Sequence, residues 1–237
     1  MVAGARLCGR RRCGDQLFPR REPRRVKLYH CLGARSLRAL WTIEELGLDC
    51  DLVVLPFPPR KRVAGWMEAN PLGTIPLLVD GPLRMTESVA IAQYLATVGA
   101  DTSLAVAPDE TDYGWYLDFL HHADATLTFP QTVYMRYRLF EPHRGLEVAG
   151  DLYAQWYVAR LAKVAARLAD RAYLCADRFT AADIAIAYAL FLSTRIGLGD
   201  RLPPRLVAWL ATMTARPAFQ SALAREAATP VVDSMID

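Results

Sequence analysis

The sequence predicts an α/β unit with a mixed four-stranded sheet, followed by an all-helical bundle. Three observations predict it. Short runs rich in β-branched and aromatic residues alternate with helix-period segments only as far as about residue 99. A polar link containing Pro108, Asp109 and Glu110 follows. From Thr111 the strand-like alternation disappears and Ala/Leu/Arg-rich helical segments take over. The expected division is an N-terminal extension over 1–25, an α/β domain over 26–99, a linker over 100–110, a helical domain over 111–228 and a tail over 229–237.

The elements follow in order. Val26 to His30 (VKLYH) has strand composition. After the loop CLGAR, Ser36 opens SLRALWTIEELGL, whose Leu37, Leu40, Trp41, Ile43, Leu46 and Leu48 recur near helical spacing. Gly47 is the natural stop. Asp51 to Leu55 is a second strand. FPPRKR reads as a loop because of its prolines, and Val63 to Ala69 as a short helix at most. Asn70-Pro71-Leu72-Gly73 is a turn. Ile75–Val79 and Leu83–Met85 are strands around Asp80-Gly81, a hairpin signature, and a helix runs from Thr86 to about Val98. This β-α-β-(α)-β-β-α order resembles a thioredoxin-like unit. Downstream, helices are expected over 111–138, 147–175, 181–193, 204–214 and 216–227.

Composition narrows the function. The chain has 237 residues and a formal charge of +3, but residues 1–27 hold nine basic groups against two acidic ones. The remaining 210 residues carry 19 basic and 23 acidic groups, a charge of −4. A mildly acidic body argues against a broad nucleic-acid surface, which needs clustered Lys and Arg. The longest stretch without a charge, Ser88 to Ala100, has 13 residues, too few to span a bilayer, so no transmembrane helix is expected. Five cysteines without metal or disulfide spacing read as free thiols in a reducing compartment. The Arg-rich start reads as an appendage. A transit peptide or a nucleic-acid- or membrane-binding arm are the other readings.

Three motifs carry chemistry or stability. In Asn70-Pro71-Leu72-Gly73-Thr74-Ile75-Pro76, a proline at a strand start removes a ladder donor. A cis bond before Pro76 turns the main chain of Ile75 toward a cleft, where it can pair with a peptide-like ligand. An ordinary trans proline at a strand edge is the alternative. Thr86-Glu87-Ser88 stands at a helix start. Free N–H groups and the Ser88 hydroxyl suit a carboxylate, and Glu87 suits an ammonium, so together they suit an amino-acid head group. Plain N-capping by Thr86 or Ser88 is the alternative. Thr180 and Asp183 have the spacing of a capping box and Phe179 with Ile184 that of a hydrophobic staple, so this third motif is structural.

KLYH–loop–SLRALWTIEELGL, NPLGTIPLLVDG, TESVAIAQYL and FTAADIAIAYAL stand in the order and approximate spacing of the cytosolic glutathione S-transferases, which residues 26–228 resemble. The resemblance implies a glutathione site on the thioredoxin-like domain, a pocket for a hydrophobic electrophile against the helical domain, a homodimer and a cytoplasmic location. It implies no nucleic-acid or membrane partner. By resemblance Ile75 supplies main-chain hydrogen bonds to the cysteinyl part of glutathione, Pro76 is the cis proline, and Glu87 and Ser88 hold the γ-glutamyl end.

The group that activates the thiol is left open. Aligned to the bacterial beta class (KLxYxPGACSLA), the usual cysteine falls at Arg35 and Ser36 matches the next residue. In serine-type members the serine falls at Ala34. Three candidates remain: the Ser36 hydroxyl at the helix start, the Arg35 charge, and Cys31 through a mixed disulfide as in omega-like members. Tyr29 is expected to face the core. Trp115, Tyr116, His121, His122, Tyr134 and Tyr137 are expected mainly in core and dimer packing, with some aromatic faces on the electrophile pocket. The expected activity is transfer of the glutathione thiolate to an electrophile. The rivals are a catalytically silent binding or regulatory protein on the same fold and a glutathione-dependent thiol–disulfide reductase using Cys31.

Overall fold

The computed structural model describes residues 25–99 and 101–233. Most of the basic start, and with it the reading of residues 1–25 as an appendage, lies outside the described residues. The N-terminal domain comprises β1 (Val26–His30), α1 (Leu37–Glu45), β2 (Cys50–Val54), the single-turn helices α2 (Pro59–Arg62) and α3 (Trp66–Ala69), β3 (Leu77–Asp80), β4 (Leu83–Met85) and α4 (Ser88–Val98). The sheet runs β2-β1-β3-β4, with β1 parallel to β2 and the pairs β1/β3 and β3/β4 antiparallel.

Several boundaries differ from expectation, among them the start of α4 at Ser88 and not Thr86. β2 begins at Cys50 because Cys50 pairs with Val26. β3 begins at Leu77, not Ile75. The last ladder pair is Tyr29 with Leu77, and Pro76 has no N–H to continue it. The stretch expected as a loop contains α2, because Pro59 stands in its first turn, where a missing N–H costs nothing.

The helical domain comprises α5 (Tyr113–His121), α6 (Phe129–Met135), α7 (Glu147–Arg167), α8 (Ala181–Arg195), α9 (Pro204–Thr214) and α10 (Pro217–Ala228). The single helix expected over 111–138 is interrupted. His122–Thr128 and Arg136–Phe140 wind as wider π-helical turns. Within the first of these, the Thr128 hydroxyl also donates to the Ala123 carbonyl at 2.6 Å. α7 ends at Arg167, short of residue 175. Beyond it the Asp183 carboxylate draws in the Leu174 N–H at 2.9 Å, and Ala176 and Asp177 adopt left-handed backbone that no α-helix accommodates.

α8 is buried from Ala181 to Leu190 and opens on the expected capping box, with Phe179 and Ile184 packed beneath it. One apolar core runs through both domains. In it the Trp41 ring of α1 lies 4.7 Å from Phe219 of α10 and 5.8 Å from Phe179. Ion pairs from α10 and its N-cap seal the same face of α1: Arg216 grips Glu45 at 2.6 and 2.8 Å, and Arg225 meets Glu44 at 2.7 Å. The chain past α10 returns to the β2 edge, where the Val232 N–H donates to the Val54 carbonyl at 2.9 Å. No helix among the described residues is long and apolar enough to cross a membrane.

Candidate functional site

A cleft of about 390 Å³ opens between the two domains. Its N-terminal wall is made of the β1–α1 loop (Leu32 to Arg35), Phe57, Pro59 and Arg60, the turn from Gly73 to Pro76, and Thr86 to Ser88. Thr132, Met135, Phe140, Tyr188 and Leu192 close it from the helical side.

The turn is built locally. The Asn70 side chain accepts from the Leu72 N–H at 3.1 Å and donates to the Thr74 carbonyl at 2.8 Å, so it closes the bend from both sides. Gly73 sits at φ +63°, with Arg60 and Met67 against the position a Cβ would take. The Ile75–Pro76 bond is cis, and Ile75 stands in the cleft outside the sheet ladder.

The start of α4 faces this turn. No side-chain bond caps the helix start, whose Glu87 and Ser88 line the cleft. Neither Thr86 nor Ser88 acts as the N-cap. Glu87 occupies that position and is exposed. Ser88 is buried to 3% exposure, and its hydroxyl accepts from Arg38 at 3.1 Å.

The β1–α1 loop is anchored from the helical domain. The Gly33 N–H donates to Glu226 of α10 at 3.3 Å, and the Gly33 carbonyl accepts from the Tyr188 hydroxyl at 3.3 Å. Glu226 also meets the buried His30 Nε2 at 2.8 Å. Burial pushes the Tyr188 phenol up to about 12, although Arg38 beneath its ring opposes the shift, so the phenol stays neutral near pH 7. Arg35 reaches across the loop to Asp124 at 3.6 Å and donates to the Thr132 hydroxyl.

The structure thus brings Arg35, Ile75, Pro76, Glu87 and Ser88 together in one cleft. It does not bring Ser36 or Cys31 there. Ser36 is fully buried. Its hydroxyl accepts from the Cys31 N–H at 3.3 Å and lies 3.5 Å from the Cys31 carbonyl, so it closes the loop from behind and caps nothing in α1. Cys31 packs with Tyr29, Leu55, Trp66 and Leu77 behind the cleft wall, where burial pushes its thiol up to about 12. Tyr29 faces the core, as expected.

None of the six aromatic residues and histidines expected around 115–137 lines the cleft. Its aromatic surface comes from Phe57, Phe140 and Tyr188. The Phe57 and Phe140 rings, from opposite domains, are 6.2 Å apart. The sequence holds no local signal for these residues. A signal did exist for Arg38, a charge set within the apolar face of α1.

Residues 24–97 match the family model described as glutathione S-transferase, N-terminal domain, and residues 157–212 match the C-terminal domain model of the same family. The chain is 29% identical over 204 residues to glutathione S-transferase GstA of Escherichia coli O157:H7, covering 85% of this chain and 98% of that protein. It superposes on BphK, a bacterial GST solved as a ternary complex, with a TM-score of 0.73 and 28% identity, covering 85% of this chain and 99% of the other. The fold is also that of a sphingomonad glutathione S-transferase solved with glutathione (TM-score 0.74, 24% identity, 86% and 100% covered). With both halves of the family architecture present, a four-stranded thioredoxin-like domain and a helical domain, the chain belongs to the glutathione S-transferase family.

Proposed function

We propose that this chain binds glutathione in the interdomain cleft and transfers its thiolate to a hydrophobic electrophile. The observation that carries the reading is the convergence of the Ile75 main chain, the uncapped start of α4 with Glu87 and Ser88, and the Arg35 loop on one cleft. The γ-glutamyl carboxylate meets the α4 N–H groups and the Ser88 hydroxyl, and its ammonium meets Glu87. Ile75 pairs with the cysteinyl unit, which directs the sulfur toward Gly33, Ala34 and Arg35. The Arg35 charge favours the thiolate there, and the thiol proton leaves to solvent. The sulfur then attacks the electrophilic carbon. A C–S bond forms and the leaving group departs with its electron pair, or an activated double bond takes up the pair.

Phe57, Met135, Phe140 and Leu192 offer the apolar wall for the electrophile. The exposed Phe129, Leu152 and Trp156 support pairing of two copies, to be measured by light scattering, and we read the location as the cytoplasm. The test is calorimetric titration with glutathione, followed by turnover over a panel of aryl halides and activated alkenes. Absence of glutathione binding refutes the proposal. One rival has an observation in its favour. Ala34 brings no hydroxyl or thiol to the cleft and Ser36 is buried, which suits a binding protein without turnover. Binding with no turnover on any electrophile, and no change on Arg35→Ala, selects that rival.

A further inference from the structure

Arg38 is fully buried at the junction of the two domains. A guanidinium has five N–H donors, and five bonds are present. Nε donates to the Ala185 carbonyl at 3.3 Å. Nη1 donates to Ser88 Oγ and Asp124 Oδ1, both at 3.1 Å. Nη2 donates to the Ala123 carbonyl at 3.3 Å and Thr128 Oγ1 at 2.6 Å. The Tyr188 ring covers one face at 4.7 Å. These partners come from α4, from the first π-helical turn and from α8. The charged and titratable groups around Arg38 are Asp124, Arg35 and Tyr188, and Glu87 stands on the cleft side of Ser88.

Two consequences follow for the cleft. Ser88 Oγ is occupied as an acceptor, so the hydroxyl has its proton to give to a ligand in the cleft it lines. Asp124 is held between Arg38 and Arg35, so the guanidinium at the loop end takes its place from the buried one. The wider π-helical winding of residues 122–128 presents Asp124 and Thr128 to the same guanidinium.

We propose that Arg38 is a positioning residue joining the two ends of the glutathione site. Through Ser88 it sets a hydroxyl donor against the γ-glutamyl carboxylate, and through Asp124 it sets Arg35 against the sulfur. This rests on the reading that the cleft binds glutathione. Arg38 itself is fully buried and does not line the cleft. The three charges Arg35, Asp124 and Arg38 sum to one positive charge beside the sulfur, which favours its thiolate.

The experiment is a double-mutant cycle read by calorimetry with S-methylglutathione, which keeps the γ-glutamyl end and has no free thiol. Ser88→Ala weakens binding about tenfold, the loss of one charge-assisted hydrogen bond. Arg38→Lys, which cannot fork between Ser88 and Asp124, weakens it similarly. The double variant is no weaker than Ser88→Ala alone. Additive losses overturn the proposal and assign Arg38 to packing only.

Asp124→Asn, which leaves Arg38 in place, supplies the second arm and decides the matter if Arg38→Lys does not fold. It keeps S-methylglutathione affinity within about twofold. It also moves the ultraviolet thiolate titration of bound glutathione to higher pH, because release of Arg35 from its place outweighs the loss of one negative charge. A titration that is unmoved, or that moves to lower pH as the charge change alone dictates, overturns the proposal. Wild-type protein that binds neither glutathione nor its S-methyl derivative removes the glutathione reading itself. Wild-type binding with an additive cycle removes only the role of Arg38.

Discussion

Replacing Asp183 by alanine tests the packing that holds both domains together. The carboxylate is fully buried and accepts three hydrogen bonds, from the Leu174 N–H at 2.9 Å, the Thr180 N–H at 2.8 Å and the Thr180 hydroxyl at 3.0 Å. Alanine leaves the two N–H groups buried and unpaired. At about 1–3 kcal/mol for each orphaned group, the loss comes to about 3 kcal/mol. That exceeds the ~1 kcal/mol typical of a lost N-cap alone.

The loss has a pH signature. Desolvation pushes the Asp183 carboxyl up to about 7 against its three hydrogen bonds, from an unfolded value of 3.8. A raised carboxyl contributes stability that is fully present below the unfolded value and is lost as pH rises through the folded one. The wild type therefore gives up stability at this site between those two values, and the alanine variant has nothing there to give up. Urea unfolding followed by tryptophan fluorescence gives both numbers. The deficit of Asp183→Ala is largest below about pH 4 and narrows as the pH rises to about 7. An unchanged midpoint, or a deficit that widens with pH, refutes the reasoning.

Three further predictions concern the cleft. Glu226→Ala strips partners from the buried His30 and from the Gly33 N–H. It is expected to cost about 2 kcal/mol and to speed hydrogen exchange in peptides covering residues 31–36, and unchanged exchange there contradicts the anchoring. Gly73→Ala forces a side chain into left-handed backbone with its Cβ 2.9 Å from Met67 Sδ and 3.0 Å from Arg60 Cβ. The cost is about 1–2 kcal/mol, accompanied by weaker glutathione binding because Arg60 lines the cleft; equal melting temperature and equal affinity contradict it. Cys31, buried and with its thiol pushed up to about 12, is expected to resist iodoacetamide at neutral pH in the native protein. Prompt alkylation mapped to that residue by mass spectrometry contradicts its burial.

What was legible in the sequence was what neighbouring residues decide among themselves. Strand and helix order follows from local periodicity, and the capping box at Thr180 and Asp183 needs only a four-residue span. Asn70 closes its own turn, and Pro76 ends the ladder wherever it stands. That Ile75, Glu87 and Ser88 share a cleft was legible because they stand at a strand start and a helix start. The helix expected over 111–138 was not legible in full, because its π-helical turns follow from bonds such as the one between Thr128 and Arg38, ninety residues apart.

The sequence by itself determined the two-domain order and the cleft wall that carries Ile75, Glu87 and Ser88, since both rest on short-range backbone geometry. Only the tertiary structure decided which thiol-activating candidate reaches the cleft. Ser36 and Cys31 turn inward and Arg35 turns out, because Glu226 and Tyr188, 193 and 155 residues away along the chain, hold Gly33 by its N–H and its carbonyl. The same packing of α1 against α8 desolvates Arg38, so its five donors must all be satisfied by groups that line or support the site.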